Sequence, residues 1–305
     1  MGTPDFAVRS LEALIEDGLD VAAVVTQPDR PSGRGRKETA PPVKTIAIEH
    51  AIPVLQPKSV RTEEFLQRLK SYRPDALVVV AYGKILPKAV LEAAPMGAIN
   101  VHASLLPAYR GAAPINWAVI NGEPITGVTT MLMDEGMDTG PVLLMEKTAI
   151  GEYETAGELY ARLANLGGAL LKRTLMGLLD KKITPRPQAT EGVSFAPIMK
   201  KSDGRVDWTK SATTIYNLVR GVTPWPGAFT TLGAQTVKIH SGRIESGSCS
   251  GAKPGAIMAG SEGSIVVATG GGAYGITELQ IEGKKRVSAG EFLRGFRIKE
   301  GTAFV

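Results

Sequence analysis

The 305-residue chain contains a single cysteine, Cys249, and only three histidines, His50, His102 and His240. One cysteine excludes an internal disulfide and any CxxC pair, and it predicts a reducing, cytoplasmic setting. No apolar run approaches the roughly 20 residues that a membrane helix needs, so no membrane partner is expected. The opening Met1-Gly2-Thr3-Pro4-Asp5 lacks the basic start and apolar stretch of a secretory leader. There is no GxxxxGK[ST] phosphate loop and no HExxH helix, and no metal is expected. The first strand–helix junction also lacks GxGxxG, which weakens a nicotinamide-dependent oxidoreductase reading.

What remains is a folded-protein composition, 43% hydrophobic and 21% charged, in a chain long enough for two domains. The net charge of +5 is unevenly spread. Residues 1–185 balance 20 Lys+Arg against 21 Asp+Glu, whereas residues 186–305 carry 15 against 9. The basic excess in the last third points to a polyanionic partner there, or else to a basic surface kept for solubility.

Periodicity divides the chain at the same region. Helical spacing at residues 6–15, 44–50, 62–72, 114–120 and 156–179 alternates with extended stretches at 19–25, 52–55, 75–80, 99–102, 127–133 and 142–147. That alternation predicts a parallel, doubly wound α/β sheet, with ligands at the carboxyl ends of its strands. Residues 185–204, with Pro185, Pro187 and Pro197, read as a linker wrapping the surface. Beyond it, one helix at 211–220 precedes short strands at 229–232, 236–240, 264–268 and 276–281 and a short helix at 289–293. Close-set short strands in a basic module predict a small, oligonucleotide-binding (OB-like) β-barrel. The domains are therefore expected at 1–184 and 205–305. Gly270-Gly271-Gly272 reads as a turn between strands.

Of the histidines, His50 ends a helix, where a cation suits the dipole, and His240 sits in a barrel-type strand; both read as structural. His102 ends the strand at 98–102, with Asn100 two residues earlier on the same face. The loop that follows, Ser104-Leu105-Leu106-Pro107-Ala108-Tyr109-Arg110-Gly111, reads either as a plain connection or as a wall against a flat heterocycle. Downstream, Asp134, Glu135 and Asp138 are three acids that could return toward His102, and spacing does not choose among them. An amide, an imidazole and a carboxylate suit acyl transfer to an amine: hydrogen bonds stabilise the oxyanion while the carboxylate assists proton removal. Cys249 has no neighbouring base and is not read as a nucleophile.

Asn100-Val101-His102-Ala103-Ser104-Leu105-Leu106-Pro107 with Asp138-Thr139-Gly140 resembles the folate-dependent formyltransferases. The resemblance implies a Rossmann-like catalytic domain and a catalytic trio of Asn100, His102 and Asp138. It further implies that Ser104, Leu105, Leu106 and Pro107 contact 10-formyltetrahydrofolate. Five other stretches are similar to the branch that acts on methionyl initiator tRNA: Gly2-Thr3-Pro4-Asp5-Phe6-Ala7-Val8, the 27–37 loop, and residues 205–208, 223–227 and 283–285. This implies formylation of the methionyl α-amine for translation initiation, by a monomer. In that branch the 27–37 loop reaches the acceptor stem, which makes Arg30, Arg34, Arg36 and Lys37 tRNA-binding candidates. Glycines and a proline are expected to keep the loop irregular, while Trp208 and Trp225 read as core aromatics with base stacking as the alternative.

Other readings are a formyltransferase for an amino-sugar nucleotide, a hydrolase releasing formate from the same folate, and a catalytically degenerate RNA-binding protein. One departure from the family stands out. Its members usually place a short apolar strand before the Gly-Thr-Pro-Asp turn, whereas this sequence starts at the turn, as a misassigned start would produce. A first strand is central in a doubly wound sheet, so its neighbours are expected to lack a partner on one side. Extending the chain upstream by several apolar residues should raise its thermal midpoint, and equal midpoints would overturn this expectation.

Overall fold

The computed structural model describes residues 1–32, 37–246, 251–258, 263–295 and 302–305. These form two units, each discontinuous in sequence: Met1–Pro114 with Ile125–Ala149 and Tyr160–Ala196, and Ile115–Pro124 with Ile150–Leu159 and Pro197–Val305. Residues 185–196 of the expected linker thus group with the first unit.

The first unit begins with α1 (Asp5–Glu16), whose apolar stripe buries Phe6, Ala7, Leu11 and Leu14. It continues through β1 (Val24–Val25), β2 (Arg30–Ser32), β3 (Lys37–Thr39), α2 (Pro42–Glu49) and β4 (Val54–Leu55). In α3 (Glu63–Ser71) the Thr62 hydroxyl accepts the Phe65 N–H, acids occupy the first turn and Arg68 and Lys70 the last, as the helix dipole favours. Along the chain then come β5 (Leu77–Val79), α4 (Lys88–Leu91), β6 (Ala98–His102), β7 (Arg110–Gly111), α5 (Pro114–Ile120), β8 (Ile125–Leu132), β9 (Val142–Ala149), α6 (Ala156–Leu179) and β10 (Phe195–Ala196). Of these, α5 from Ile115 onward and the start of α6 through Leu159 group with the second unit.

The sheet is mixed rather than wholly parallel, a correction to the sequence expectation. β5 pairs with β6 and β1 with β4 in parallel, but β8 runs antiparallel to both β6 and β9. The 133–141 connection closes β8 and β9 as a hairpin, which only antiparallel neighbours allow. Gly2 links the two parallel pairs: its N–H donates to the Val25 carbonyl (3.0 Å) while Val80 N–H donates to Met1 O (2.9 Å). The Met1 amino group donates to Val78 O at 2.6 Å, and burial pushes its pKa down to about 5. Beside this crossing lies a cavity of about 320 Å3 lined by Leu14, Ala22, Val24, Leu69, Ala76 and Val78.

Both faces of the sheet are covered. Val25, Phe65, Leu69, Leu77, Val79, Val90 and Ala98 form one core layer with α3 and α4. On the other, α6 approaches α1 closely at Gly168, where a Cβ would lie 2.8 Å from the Arg9 carbonyl oxygen.

In the second unit, α7 (Ala212–Gly221) is capped by the Ser211 hydroxyl, which accepts the Thr214 N–H. Its strands are β11 (Ala228–Leu232), β12 (Gln235–Glu245), β13 (Ile265–Ala268), β14 (Ala273–Ile281) and β15 (Val287–Ser288), followed by α8 (Ala289–Gly295). They form an antiparallel sheet in the order β11-β12-β14-β13, with β15 added to β14. The sheet curls, helped by a register shift around Ser241 in β12. Single bridges continue it beyond both edges, Leu232 to Phe304, Ala303 to Ala256, and Ile257 to Val267. The 269–272 segment is a tight turn between β13 and β14, with Thr269 N–H donating to the Gly272 carbonyl (3.1 Å).

Trp208 is buried, donates to Thr230 Oγ1 at 2.9 Å and stacks on Phe304. Trp225 is not a core residue: it is 56% exposed in the Pro-Trp-Pro segment after α7, where flanking prolines leave it no strand or helix to pack in. Cys249 lies outside the described residues. Replacing Trp208 by Ala should cost about 3–5 kcal/mol of stability, measurable by denaturant titration. Replacing Trp225 by Ala should leave the midpoint unchanged.

Candidate active site

β6 presents Asn100 and His102 on one face and buries Val101 on the other, where it faces Gly167 of α6. His102 is 6% exposed. Its Nε2 lies 3.0 Å from the Tyr109 carbonyl oxygen, which places the ring hydrogen on Nε2 and leaves Nδ1 facing Asp138. Nδ1 is 3.7 Å from Asp138 Oδ2, within ion-pair range and outside hydrogen-bond range.

Because β8 is antiparallel, it leaves the sheet beside Ile99, not beside His102. The 133–141 loop must therefore fold back along β6 to deliver its acid. It does so with Asp138 in the left-handed region, at φ +53°. Such a conformation costs on the order of 1 kcal/mol for a non-glycine residue and persists only where its surroundings enforce it. The enforcing contacts are visible. Gly111 N–H donates to Asp138 Oδ2 at 2.8 Å, and Asn100 Nδ2 lies 3.4 Å from Oδ1. Gly111 itself is at φ +122°, and a Cβ there would meet the Ala196 carbonyl oxygen at 2.7 Å.

Of the three acids that spacing left open, Asp138 is the one beside His102. Asp134 accepts from Gly136 N–H (3.0 Å) and Thr139 Oγ1 (2.7 Å), which shapes the loop, and Glu135 is exposed.

Ser104 is fully buried and donates to the Ala108 carbonyl at 2.6 Å, while its own carbonyl accepts from Thr129. Leu106 is also buried, and Leu105 and Pro107 are half-buried. The hydroxyl and the Leu106 side chain thus shape the loop after β6, and its partly open surface belongs to Leu105, Pro107 and the backbone. Tyr82, just after β5, is buried with its hydroxyl unpartnered among the described residues, and burial pushes its pKa up to about 12.

Three features were not legible in the sequence: the Tyr109 carbonyl, the Gly111 N–H and the segment at 186–196. β10 pairs with β7, Ser194 Oγ accepts from Tyr109 N–H (2.9 Å), and Gln188 joins Arg110 to the Asp138 loop. Backbone groups leave no sequence signal, and a proline-punctuated stretch with no periodicity gives no hint of a partner. An open cavity of about 500 Å3 lies against Arg110, Thr139, Pro141, Pro187 and Gln188.

Arg30, exposed, stands in β2, which pairs with β3 so that Arg30 lies opposite Thr39 and Ser32 opposite Lys37. Residues 30–32 and 37–39 thus pair as antiparallel strands, which the expectation of an irregular loop did not include. Ladder pairing outweighs the local cost of Pro31, whose missing N–H is tolerated on an edge. Its base is fixed by Asp29, which accepts from Gln56 and Lys44, each at 2.6 Å. Those hydrogen bonds, Gln56 first, hold the Asp29 carboxyl below its usual range. Arg34 and Arg36 lie outside the described residues.

A buried imidazole and an amide on one face of β6 thus meet a carboxylate from the 133–141 loop within a Rossmann-like domain. Two family models match the chain: "Formyl transferase" over residues 1–175 and "Formyl transferase, C-terminal domain" over residues 198–297. The chain belongs to the formyl transferase family. It is similar to proteins named methionyl-tRNA formyltransferase from Citrifermentans bemidjiense (51% identical, covering 99% of this chain and 94% of the relative) and Geobacter metallireducens (52%, 99% and 96%). Among solved structures, the sugar 3N-formyl transferase WlaRD shares the fold, with a TM-score of 0.68 at 17% identity over 93% of this chain and 97% of that one. HypX from Aquifex aeolicus in complex with tetrahydrofolic acid has a TM-score of 0.58 at 21% identity, covering 84% of this chain and 46% of that one.

The geometry separates the acids experimentally. Asp138→Asn should lower turnover by about 10²–10⁴, the usual range for a proton-transfer group, whereas Glu135→Gln should leave it at the wild-type level. Steady-state rates of the two variants provide the check, and equal losses would refute the assignment.

Proposed function

We propose that this protein transfers the formyl group of 10-formyltetrahydrofolate to the α-amino group of methionyl initiator tRNA, preparing it for translation initiation. The observation that carries this reading is full-length similarity, near 50% identity over 99% of the chain, to relatives named methionyl-tRNA formyltransferase. The gathered Asn100, His102 and Asp138 supply chemistry that fits it. A fold neighbour in complex with tetrahydrofolic acid supports a folate as the donor.

In this reading Ser104–Pro107 form the wall against the folate, and the formyl carbon sits before Asn100 and His102. The methionyl amine, partly unprotonated at neutral pH with a pKa of about 7.7–8.0, attacks that carbon. Asn100 Nδ2 retains a hydrogen beyond its contact with Asp138 and donates it to the oxygen as it gains charge, and His102 joins it through Nδ1 once that nitrogen holds the proton taken from the amine. The new C–N bond forms, the bond to the folate nitrogen breaks, and the proton lost by the amine passes by way of Asp138 and His102 to that nitrogen.

Residues 1–184 would be the catalytic domain, 185–204 a connection and 205–305 the tRNA-binding domain. The bridges beyond β11 and β13 support an OB-like barrel for the latter. Arg30, Arg34, Arg36 and Lys37 would grip acceptor-stem phosphates. Trp225 offers an exposed face for base stacking, within the basic C-terminal third. The enzyme acts in the cytoplasm as a monomer.

The test is formyl transfer from 10-formyltetrahydrofolate to methionyl initiator tRNA, with His102→Ala as control. Transfer that the variant abolishes is expected. No transfer by a folded protein, with activity on an amino-sugar nucleotide instead, would overturn the reading. Replacing Arg34, Arg36 and Lys37 together should also flatten the salt dependence of tRNA binding, by about 0.7–0.9 in log–log slope for each phosphate no longer neutralised. An unchanged slope would remove the loop from the interface.

A further inference from the structure

We infer that Gln188 is a positioning residue for formyl transfer, one whose side-chain amide holds the backbone that aims Asp138. The inference rests on the function proposed above, and it concerns a residue in a stretch without helical or strand periodicity.

Gln188 Nε2 donates to the carbonyl oxygens of Asp138 and Gly140, each at 2.8 Å. Its Oε1 accepts from Arg110 Nη2 at 2.7 Å and Nε at 3.2 Å. Both amide hydrogens and both oxygen lone pairs are thereby engaged. The orientation follows from the partners: a flipped amide would set its NH2 against guanidinium donors and its oxygen against two carbonyls. Arg110 precedes Gly111, whose N–H holds the Asp138 carboxylate. The contacts close a ring, from Gln188 to the Asp138 backbone, from its carboxylate to Gly111, and from Arg110 back to Gln188.

Asp138 gains from such a clamp because its φ of +53° lies in the left-handed region, which costs a non-glycine residue energy even though aspartate enters it more readily than most. Gln188 is in turn tethered at Arg186, whose N–H and carbonyl both pair with Val142 at 2.8 and 2.7 Å. An aspartate released to ordinary backbone angles would carry its carboxylate away from His102 Nδ1 and Asn100. Gln188 meets Asp138 only at its backbone carbonyl, and its effect on the carboxylate passes through that backbone.

Gln188→Leu, of similar volume, removes donors and acceptor together; Gln188→Met carries the same test should the first not fold. The loss in kcat should be roughly tenfold to a hundredfold, the scale of an ångström of misplacement. KM for folate and for tRNA should stay within about twofold, the scatter of independent substitutions. Gln188→Glu should fall at least as far, since it turns a carboxylate toward two carbonyl oxygens. In an Asp138→Asn background the same Gln188→Leu change should have almost no further effect. An unchanged kcat, or an equal loss in both backgrounds, would overturn the proposal.

A readout independent of turnover is the 15N resonance pair of the His102 imidazole, which should move in Gln188→Leu in the direction it moves in Asp138→Asn. Unmoved resonances would overturn the positioning role. Moved resonances in the variant, alongside a wild-type protein that formylates no tRNA, would uphold that role and refute the function instead.

Discussion

The direction of one strand governs the candidate site. β8 runs antiparallel to β6, so the chain emerges beside Ile99 with the acid-bearing loop still ahead of it. The carboxylate beside His102 is delivered by a loop that doubles back over the sheet, with Asp138 in a left-handed conformation. Every other feature of the site answers that requirement. Gly111 supplies a donor where no side chain fits, Asp134 ties the loop to itself, and the 186–196 segment covers it from outside.

Strain and burial are placed accordingly. Tyr109, also at positive φ, turns its carbonyl onto His102 Nε2 and so fixes which ring nitrogen meets the acid. The open groups are then few: the second hydrogen of Asn100, the Nδ1 edge of His102, and the outer face of the loop that begins at Ser104. Polar groups that are already oriented need no rearrangement when charge develops on a reacting carbonyl, and this is where electrostatic catalysis gains most. The neighbouring strand pair, β2 with β3, follows the same logic, since Gln56 and Lys44 hold Asp29 at its base.

The second unit is built by different means. Its curled sheet depends on the bulge at Ser241 and on the end of the chain, where Phe304 stacks on Trp208 and Val305 exchanges hydrogen bonds with Thr231. Trp208 therefore belongs to the core, whereas Trp225, held between prolines, faces outward. The two tryptophans look equivalent in the sequence because both neighbour turn residues, and only the packing separates them.

The sequence by itself determined the long helices and which residues share a face along a strand, but not short elements such as β2, β3, α4, β7 and β10. Helical spacing marked α1, α3, α5 and α6 to within a residue or two, because amphipathic periodicity is local. Period two put Asn100 and His102 on one face for the same reason. The strands 98–102 and 127–133 were visible, but their relative direction was not, since direction depends on how a connection crosses the sheet rather than on any residue in the strand. The choice among Asp134, Glu135 and Asp138, the donors at Gly111 and Tyr109, and the clamp at Gln188 were decided only in three dimensions. Each depends on atoms many positions apart, several of them backbone groups that every residue carries alike.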